Sequence, residues 1–562
     1  MKLGHLLLLS FFITLNGSIL QAQWASLGSG ITASPRAIGG IAPVDENVIW
    51  GFTWHANSFV PTHEFTRTID GGQTWQAGTL TGVEAGQFPI YIFPLDSQKA
   101  WLATADEQDP ISGRIYKTID GGSSWVHQST GFTGFNETPA GVYFWNENEG
   151  FAYGATCAAN FDDQIAIYTT ADGGENWLKV MAPNMPAQLS GEGLCLWNLA
   201  GFFSVVGDSI WFGTNKGRVF RSTDRGVTWE AFSTPLPGSI TSVTFKDSQT
   251  GLAISYSPLK VARTTNGGDT WDLIPLSAPS SFIGAQIEYI PGTRGTWFMA
   301  TNSTQYMLSY DDGTHWETIN SNINVWAVEF LDSRTGFAGS IISGPAQGGV
   351  YKWGGEALGN RLYVKGDATG ANNGASWIDA FTGLQDALAA ATEGDIIWVA
   401  EGFYRPDGPG GSADASFVLD KNVKLYGGFA GTEERLEDRG NPADFPTLLS
   451  GDLNGDDVED NLTMNRTDNV WTVVTVSENI TEAAVIDGFT ISGGHANGSG
   501  ANEDPGKSGG GLHALGHPAV RNCHFEQNYA AWRGGGAYFV NTDGLTIENN
   551  SFVHNESDNL GG

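Results

Sequence analysis

The chain has 562 residues, enough for roughly two or three domains with large cores. Lys and Arg total 28 against 61 Asp and Glu, a net charge of -33, which argues against nucleic-acid phosphate, anionic membranes and acidic polysaccharides as direct partners. Glycine is abundant at 76 residues and tryptophan at 20, and few stretches have helical period, so glycine-punctuated short strands are expected.

The N-terminus reads as a secretory signal over residues 1–22. Lys2 supplies a short positive region, Leu6 to Leu15 an apolar core, and Ala22 a cleavage edge. The apolar run is too short to span a bilayer comfortably, and no second long apolar run follows, so no transmembrane segment is expected after the signal. The three cysteines form no zinc cluster. Cys157 and Cys195 are placed to pair across neighbouring repeats or to stay as buried thiols, and Cys523 reads as core.

Residues 23–353 are periodic. The stretch Thr68 to Trp75, TIDGGQTW, returns around Asp120, Asp172, Asp224, Asn266 and Asp311. Its tryptophans Trp75, Trp125, Trp177, Trp229, Trp271 and Trp316 lie 42 to 52 residues apart. A second motif reads VYFWNENEGFAYG from Val142, VTFKDSQTGLAIS from Val243 and VEFLDSRTGFAGS from Val328. Strand, polar turn, strand, a third strand into the aspartate turn and a fourth after the tryptophan make the unit of a propeller blade. The last unit ends at Trp353 without its own turn or fourth strand. The segment QWASLGSG from Gln23 resembles that missing strand, with Trp24 at a seventh tryptophan position. A seven-bladed ring closed by its N-terminal strand is therefore predicted, since closure removes exposed strand edges.

The repeated aspartates read as structural. A catalytic group is needed once, and these occur once per unit; Asn266 keeps the turn chemistry but not the charge. Asp at such a turn is expected to accept from backbone amides two residues on, and the following Gly to take positive φ. Arg67, Lys117, Arg221, Arg263 and Lys352 share one position in their units and do not read as a converging trio for a carboxylate. Asp162, Asp163 and Asp208 lie between motifs and are placed to face a groove; Trp54, Trp145, Trp197 and Trp297 lie outside the turn positions and read as core sooner than as sugar platforms.

The motif arrangement of residues 24 to 353 resembles the Asp-box, or BNR, repeat, and most closely photosystem II assembly-factor-like repeats. Related boxes occur in sialidases, xyloglucanases and the sortilin ectodomain. The resemblance implies the propeller fold and leaves activity open, because those families do unrelated things.

Gly354 to Asn360 reads as a linker. The segment Asp379 to Thr392 has helical period, with Phe381, Leu384, Leu388 and Ala391 on one face. Strand-turn repetition follows. Ile486–Gly494, Val520–Asn528 and Ile547–Asn555 align, so that Phe489, Cys523 and Asn550 coincide, as do Ile491, Phe525 and Phe552, and Asn528 stacks with Asn555. Such stacking predicts a parallel β-helix over 361–562. The pattern resembles right-handed parallel β-helix proteins of the pectate-lyase-like superfamily, and more narrowly surface proteins of Bacteroidetes-type bacteria. That resemblance implies a cap helix before the first coil and a bacterial protein, secreted or at the cell surface. The sequence stops at Gly562, where a next coil is due, so a truncated sequence is expected.

In the second half, Asp452, Asn454, Asp456 and Asp460 place oxygen ligands in a glycine-containing loop that suits calcium, beside the plainer reading of an acidic solvated loop. Asp487, Arg521 and Arg533 are the nearest material for lyase chemistry and read as non-equivalent positions. No catalytic residue and no other cofactor is assigned. The functional expectation is an all-β, secreted or cell-surface, non-catalytic protein for binding or adhesion, recognising glycans or proteins. The alternatives are an extracellular polysaccharide-degrading enzyme, a glycoside hydrolase or lyase, and an assembly-factor-like scaffold.

Overall fold

The structure is a computed structural model. It describes residues 24–562 apart from 59, 107–111, 134–136, 155–164, 195–202, 257, 277–285, 301–303, 345–346, 355–357, 435, 541–542 and 560–562. The predicted signal segment, the Cys157–Cys195 pairing, and Asp162, Asp163 and Trp197 lie outside the described residues.

The first half is built of four-stranded antiparallel meanders that follow one another along the chain. Their first strands are Arg36–Pro43, Gln87–Pro94, Pro139–Phe144, Phe203–Val206, Ile240–Phe245, Gln286–Tyr289 and Ala327–Phe330. Residues from every one of these strands line a single cavity, so the meanders are arranged around an axis as a β-propeller. The second strands carry the burial. Ile49–His55 and Gly150–Gly154 are apolar almost throughout because both of their faces pack on neighbouring sheets. Trp50, Trp101, Trp211 and Trp297 on these strands are fully buried, and their indole N–H groups all find acceptors. Trp54 and Trp297 are thus core, as expected.

The strand Trp24–Gly28 pairs antiparallel with Gln347–Trp353, placing Trp24 opposite Trp353. The N-terminal strand therefore fills the outer place that the last unit lacks. The same sheet is joined to the first meander where Arg36 and Ala37 pair with Ile342 and Ile341.

The second half has a different pairing rule: every described strand pair from Arg361 onward is parallel. Ile486, Val520 and Ile547 stand in register, and so do Ile491, Phe525 and Phe552, in the alignment read from the sequence. Inward apolar residues stack tier upon tier into one core. Phe525 and Phe552 lie face to face at 4.7 Å.

The helix is shorter than its period predicts. It covers Leu384–Ala390, without a side-chain cap. Asp379 and Phe381 are used elsewhere: the Asp379 carboxylate accepts from Ala371 N and Ser376 Oγ, and Phe381 bridges to Val364 as a strand residue. A side chain that holds a loop cannot also start the helical ladder. The connecting segment is also pinned. Leu358 packs in the first half's core, Thr296 Oγ1 donates to Gly359 O at 2.7 Å, and buried Asn360 donates to Asp395 Oδ1. Arg361, 5 % exposed, fixes the junction further. It pairs with Glu317, donates to Glu434 O, and lies 4.0 Å above the Trp398 ring.

Candidate functional site: the axial cavity and two acidic constellations

The repeated aspartate turn has one geometry in all six copies. Asp70 Oδ1 accepts from Thr74 N and Thr68 Oγ1, both at 2.8 Å, and Oδ2 accepts from Thr74 Oγ1. Asp120, Asp172, Asp224, Asn266 and Asp311 repeat the pattern with Ser124, Asn176, Thr228, Thr270 and His315. The amide bonded is four residues on, not the predicted two, because Thr68 Oγ1 already receives Gly72 N and the two-glycine turn carries the chain further round. These hydrogen bonds hold the Asp70 carboxyl down at about 2. The first glycine of the turn has positive φ, 69° at Gly71. Where it is replaced, the side chain brings ion pairs: Arg225 (φ 59°) meets Asp208 and Glu149, and Asp312 (φ 54°) meets Lys246. Asp208 is therefore a partner of that turn and does not line the axial cavity.

The shared cations bind the neighbouring unit. Lys117 Nζ donates to Gly173 O at 3.0 Å, Arg221 Nη1 to Gly267 O at 3.1 Å, and Arg263 Nη1 to Asp312 O at 3.3 Å. Each acceptor lies in the aspartate turn of the next unit, while Arg67 reaches Ser97 O and Lys352 lies over the Phe337 ring. Trp145 is half-buried under Arg225, with its N–H donated to Gly207 O. None of these groups converges on a substrate position.

Convergence occurs at the axis. The cavity there has a volume of about 300 Å³. Its wall carries two carboxylates, Glu288 and Glu329, on the neighbouring strands Gln286–Tyr289 and Ala327–Phe330, together with Tyr91, Tyr143 and Tyr289. Among the described residues lining it there is no Lys, Arg or His. Burial lifts the Glu329 carboxyl to about 7; burial, reinforced by the Glu329 charge, lifts Glu288 well above the usual range. The Tyr91 hydroxyl is raised by burial and then by the charge of Glu329. Buried between tyrosine rings with no cation among the described lining residues, the two carboxyls are held toward their neutral forms, and a cation placed beside them would favour their ionisation.

The sequence reading missed both glutamates. The signal was in the second motif: Tyr143, Thr244 and Glu329 are the middle residues of VYF, VTF and VEF, one variable position in an otherwise apolar frame, and all three line the cavity.

The acidic loop also differs from its prediction. Asp452 and Asp456 come together with Asp468, their nearest oxygens lying within 4.8 Å of one another. Asp460 turns away to His554 Nδ1 at 2.8 Å, and the Asn454 backbone N–H donates to Asp468 Oδ2 at 2.9 Å. Asp487 and Arg521, read as non-equivalent, are register partners on adjacent tiers; Asp487 pairs with Arg439 at 2.6 Å and Arg521 with Glu548 at 3.2 Å, so both are used in structural ion pairs. Arg533 lies 3.7 Å from Glu503. Cys523 is a buried free thiol, pushed up to about 12 by burial.

No family model matches the chain, and no curated protein does. Solved structures that resemble it include a YCF48 bound to D1 peptide, 17 % identical, covering 60 % of this chain and 99 % of its own, with a TM-score of 0.42. The YCF48 from Cyanidioschyzon merolae is 16 % identical over 59 % of this chain and 98 % of its own, TM-score 0.42. An ancestral GH74 enzyme is 14 % identical over 60 % of this chain and 47 % of its own, TM-score 0.38. Among the described residues no helix is long and apolar enough to cross a membrane.

Proposed function

We propose that this is an exported binding protein without catalysis of its own, whose ring captures a positively charged group of a protein partner in the axial cavity. In this reading residues 1–22 are a signal peptide, 23–353 a seven-bladed Asp-box propeller, 354–360 the connection, and 361–562 the coils of a right-handed parallel β-helix. The protein acts outside the cell or on its surface. The strand order and the closure by Trp24–Gly28 support the first assignment, and the parallel tiers the second.

The observation that carries the reading is the axial cavity, with Glu288 and Glu329 among tyrosines and no lining cation. A lysine or arginine side chain finds there both a counter-charge and aromatic faces for its charge and stem. Glycans with amino groups meet the same requirement through the same carboxylates.

A second reading, glycoside hydrolysis, draws on the same pair, since one protonated and one ionised carboxyl is the acid-base inventory of that chemistry. Placement on neighbouring strands of one wall favours cation capture, because hydrolysis needs the two groups to flank the scissile bond. The test is an array of basic peptides, glycans and polysaccharides on the full chain, with product analysis of every hit. Binding of basic probes that is lost in Glu288→Gln/Glu329→Gln supports capture. Cleavage abolished by the same substitutions establishes the hydrolase. Binding or cleavage unchanged in the double variant removes the cavity from the function.

A further inference from the structure

We propose that Asp452, Asp456 and Asp468 form a calcium site that ties the long loop between Ser450 and Val474 to the tiers beneath it. The segment between these two strands contains no other strand or helix. A segment of that length needs something to hold it. Its carboxylates supply the means. Oxygens bound to one calcium lie about 2.4 Å from the ion, so ligands on opposite sides are about 4.8 Å apart. The three carboxylates offer oxygens all within 4.8 Å of one another.

Unused oxygens beside the trio point the same way. Asn469 follows Asp468, is 2 % exposed, and has a buried Oδ1 with no hydrogen-bond partner. Its Nδ2 is held on Asp457 Oδ2 at 2.9 Å and on Gly493 O at 2.6 Å, which fixes the amide beside Asp457, a carboxyl that feels the charges of Asp452 and Asp468. Asp457 Oδ1 is likewise buried and unpartnered. Buried oxygens without a donor are costly, and a hard cation satisfies them.

The charge balance agrees. Four carboxylates, Asp452, Asp456, Asp457 and Asp468, stand beside two guanidiniums, Arg466, whose Nη1 lies 3.2 Å from Asp457 Oδ2, and Arg405, whose Nε donates to Asp452 O at 2.6 Å, so the acids remain in excess. Asp452 is already organised: its Oδ1 accepts from Gly455 N and Asp456 N and its Oδ2 from Asp457 N, so the loop backbone wraps a carboxylate whose position is set before the ion arrives. The ligand set differs from the one the loop sequence offers, since Asp468 enters from the far end of the loop and Asp460 is occupied by His554. Because this site lies in the parallel half, it is independent of the axial cavity.

The experiment is calorimetric titration of the full, chelator-treated chain with calcium chloride, with thermal unfolding followed in parallel. The expected result is binding in the range of about 10⁻⁵ to 10⁻³ M, typical of extracellular calcium modules, with a rise in melting temperature. Asp468→Asn and Asp456→Asn should each weaken binding by about tenfold or more, and Asp460→Asn should leave it unchanged. Asp456 is exposed, so its variant keeps the test valid where Asp468→Asn fails to fold. No binding heat and no stabilisation at about 10 mM calcium, ten times the weak end of that range, overturns the proposal. So does binding that survives both variants, or binding lost only in Asp460→Asn.

Discussion

Asn528 Nδ2 donates to Asn555 Oδ1 at 3.0 Å across two tiers of the parallel half. Asn528 is fully buried, and its other contacts are to backbone: Oδ1 receives Gly494 N and Nδ2 also reaches Ile491 O, both at 2.9 Å. One side chain thus satisfies groups of the turns on either side of its own. Asn528→Ala leaves them unpaired in the interior, and about 3 kcal/mol of stability should be lost. Chemical denaturation of the variant measures it.

Arg361→Ala should loosen the two halves from each other. The guanidinium is buried between Glu317 of the propeller and Trp398 of the parallel half, and removing it leaves the half-buried Glu317 carboxylate and Glu434 O without their donor, at a cost of about 1–3 kcal/mol. Calorimetry should show one unfolding transition splitting into two. A single transition, shifted or not, contradicts the role given to Arg361.

The Asp311–His315 pair predicts a pH window. Burial opposes ionisation of Asp311, yet the hydrogen bonds from His315 hold its carboxyl below the ordinary range; the hydrogen bond to Asp311 raises His315. The His315 contribution is complete below the unfolded histidine value and is lost as pH rises through the higher folded one. The Asp311 contribution is complete above the unfolded aspartate value and is lost as pH falls from there through its lowered folded one. His315→Gln should remove the alkaline loss and leave the acid limb, as read from melting temperature against pH.

Glu329 acts in the opposite sense from a paired carboxylate. Its folded value is lifted to about 7, so the folded state holds the proton more tightly than the unfolded chain. Stability should be full below the unfolded glutamate value and decline as pH rises through about 7. Glu329→Gln should flatten that decline. A basic ligand in the cavity should bind more tightly above pH 7 than at pH 5 in the wild type, and without pH dependence in Glu288→Gln/Glu329→Gln.

Trp24→Ala should open the ring. The indole is 3 % exposed and meets Trp353 edge to face at 5.1 Å, with Phe298 and Phe330 around it. Loss of so large a buried ring costs about 3–5 kcal/mol. Proteolysis at the Gln347–Trp353 strand should accelerate in the variant.

Much of the architecture was legible because it is repetitive. Trp75 to Trp316 recur at a nearly constant interval, and Ile486, Val520 and Ile547 align without a gap, so a single chain served as its own comparison. The helix length was less legible, since period alone does not reveal that Asp379 is already committed to a loop. The sites were least legible. Glu288 and Glu329 belong to different units, and Asp468 reaches Asp452 only by the return of a loop; sequence spacing carries no record of either meeting.

The pairing of Trp24–Gly28 with Gln347–Trp353 also sets an order in time. A chain is made from its N-terminus, so the first strand of the ring is finished earliest and must wait for a partner synthesised more than three hundred residues later. Until Trp353 emerges, every growing intermediate carries an open edge and an unburied tryptophan. The ring cannot be sealed one unit at a time; its two ends meet only when the whole circuit has been made.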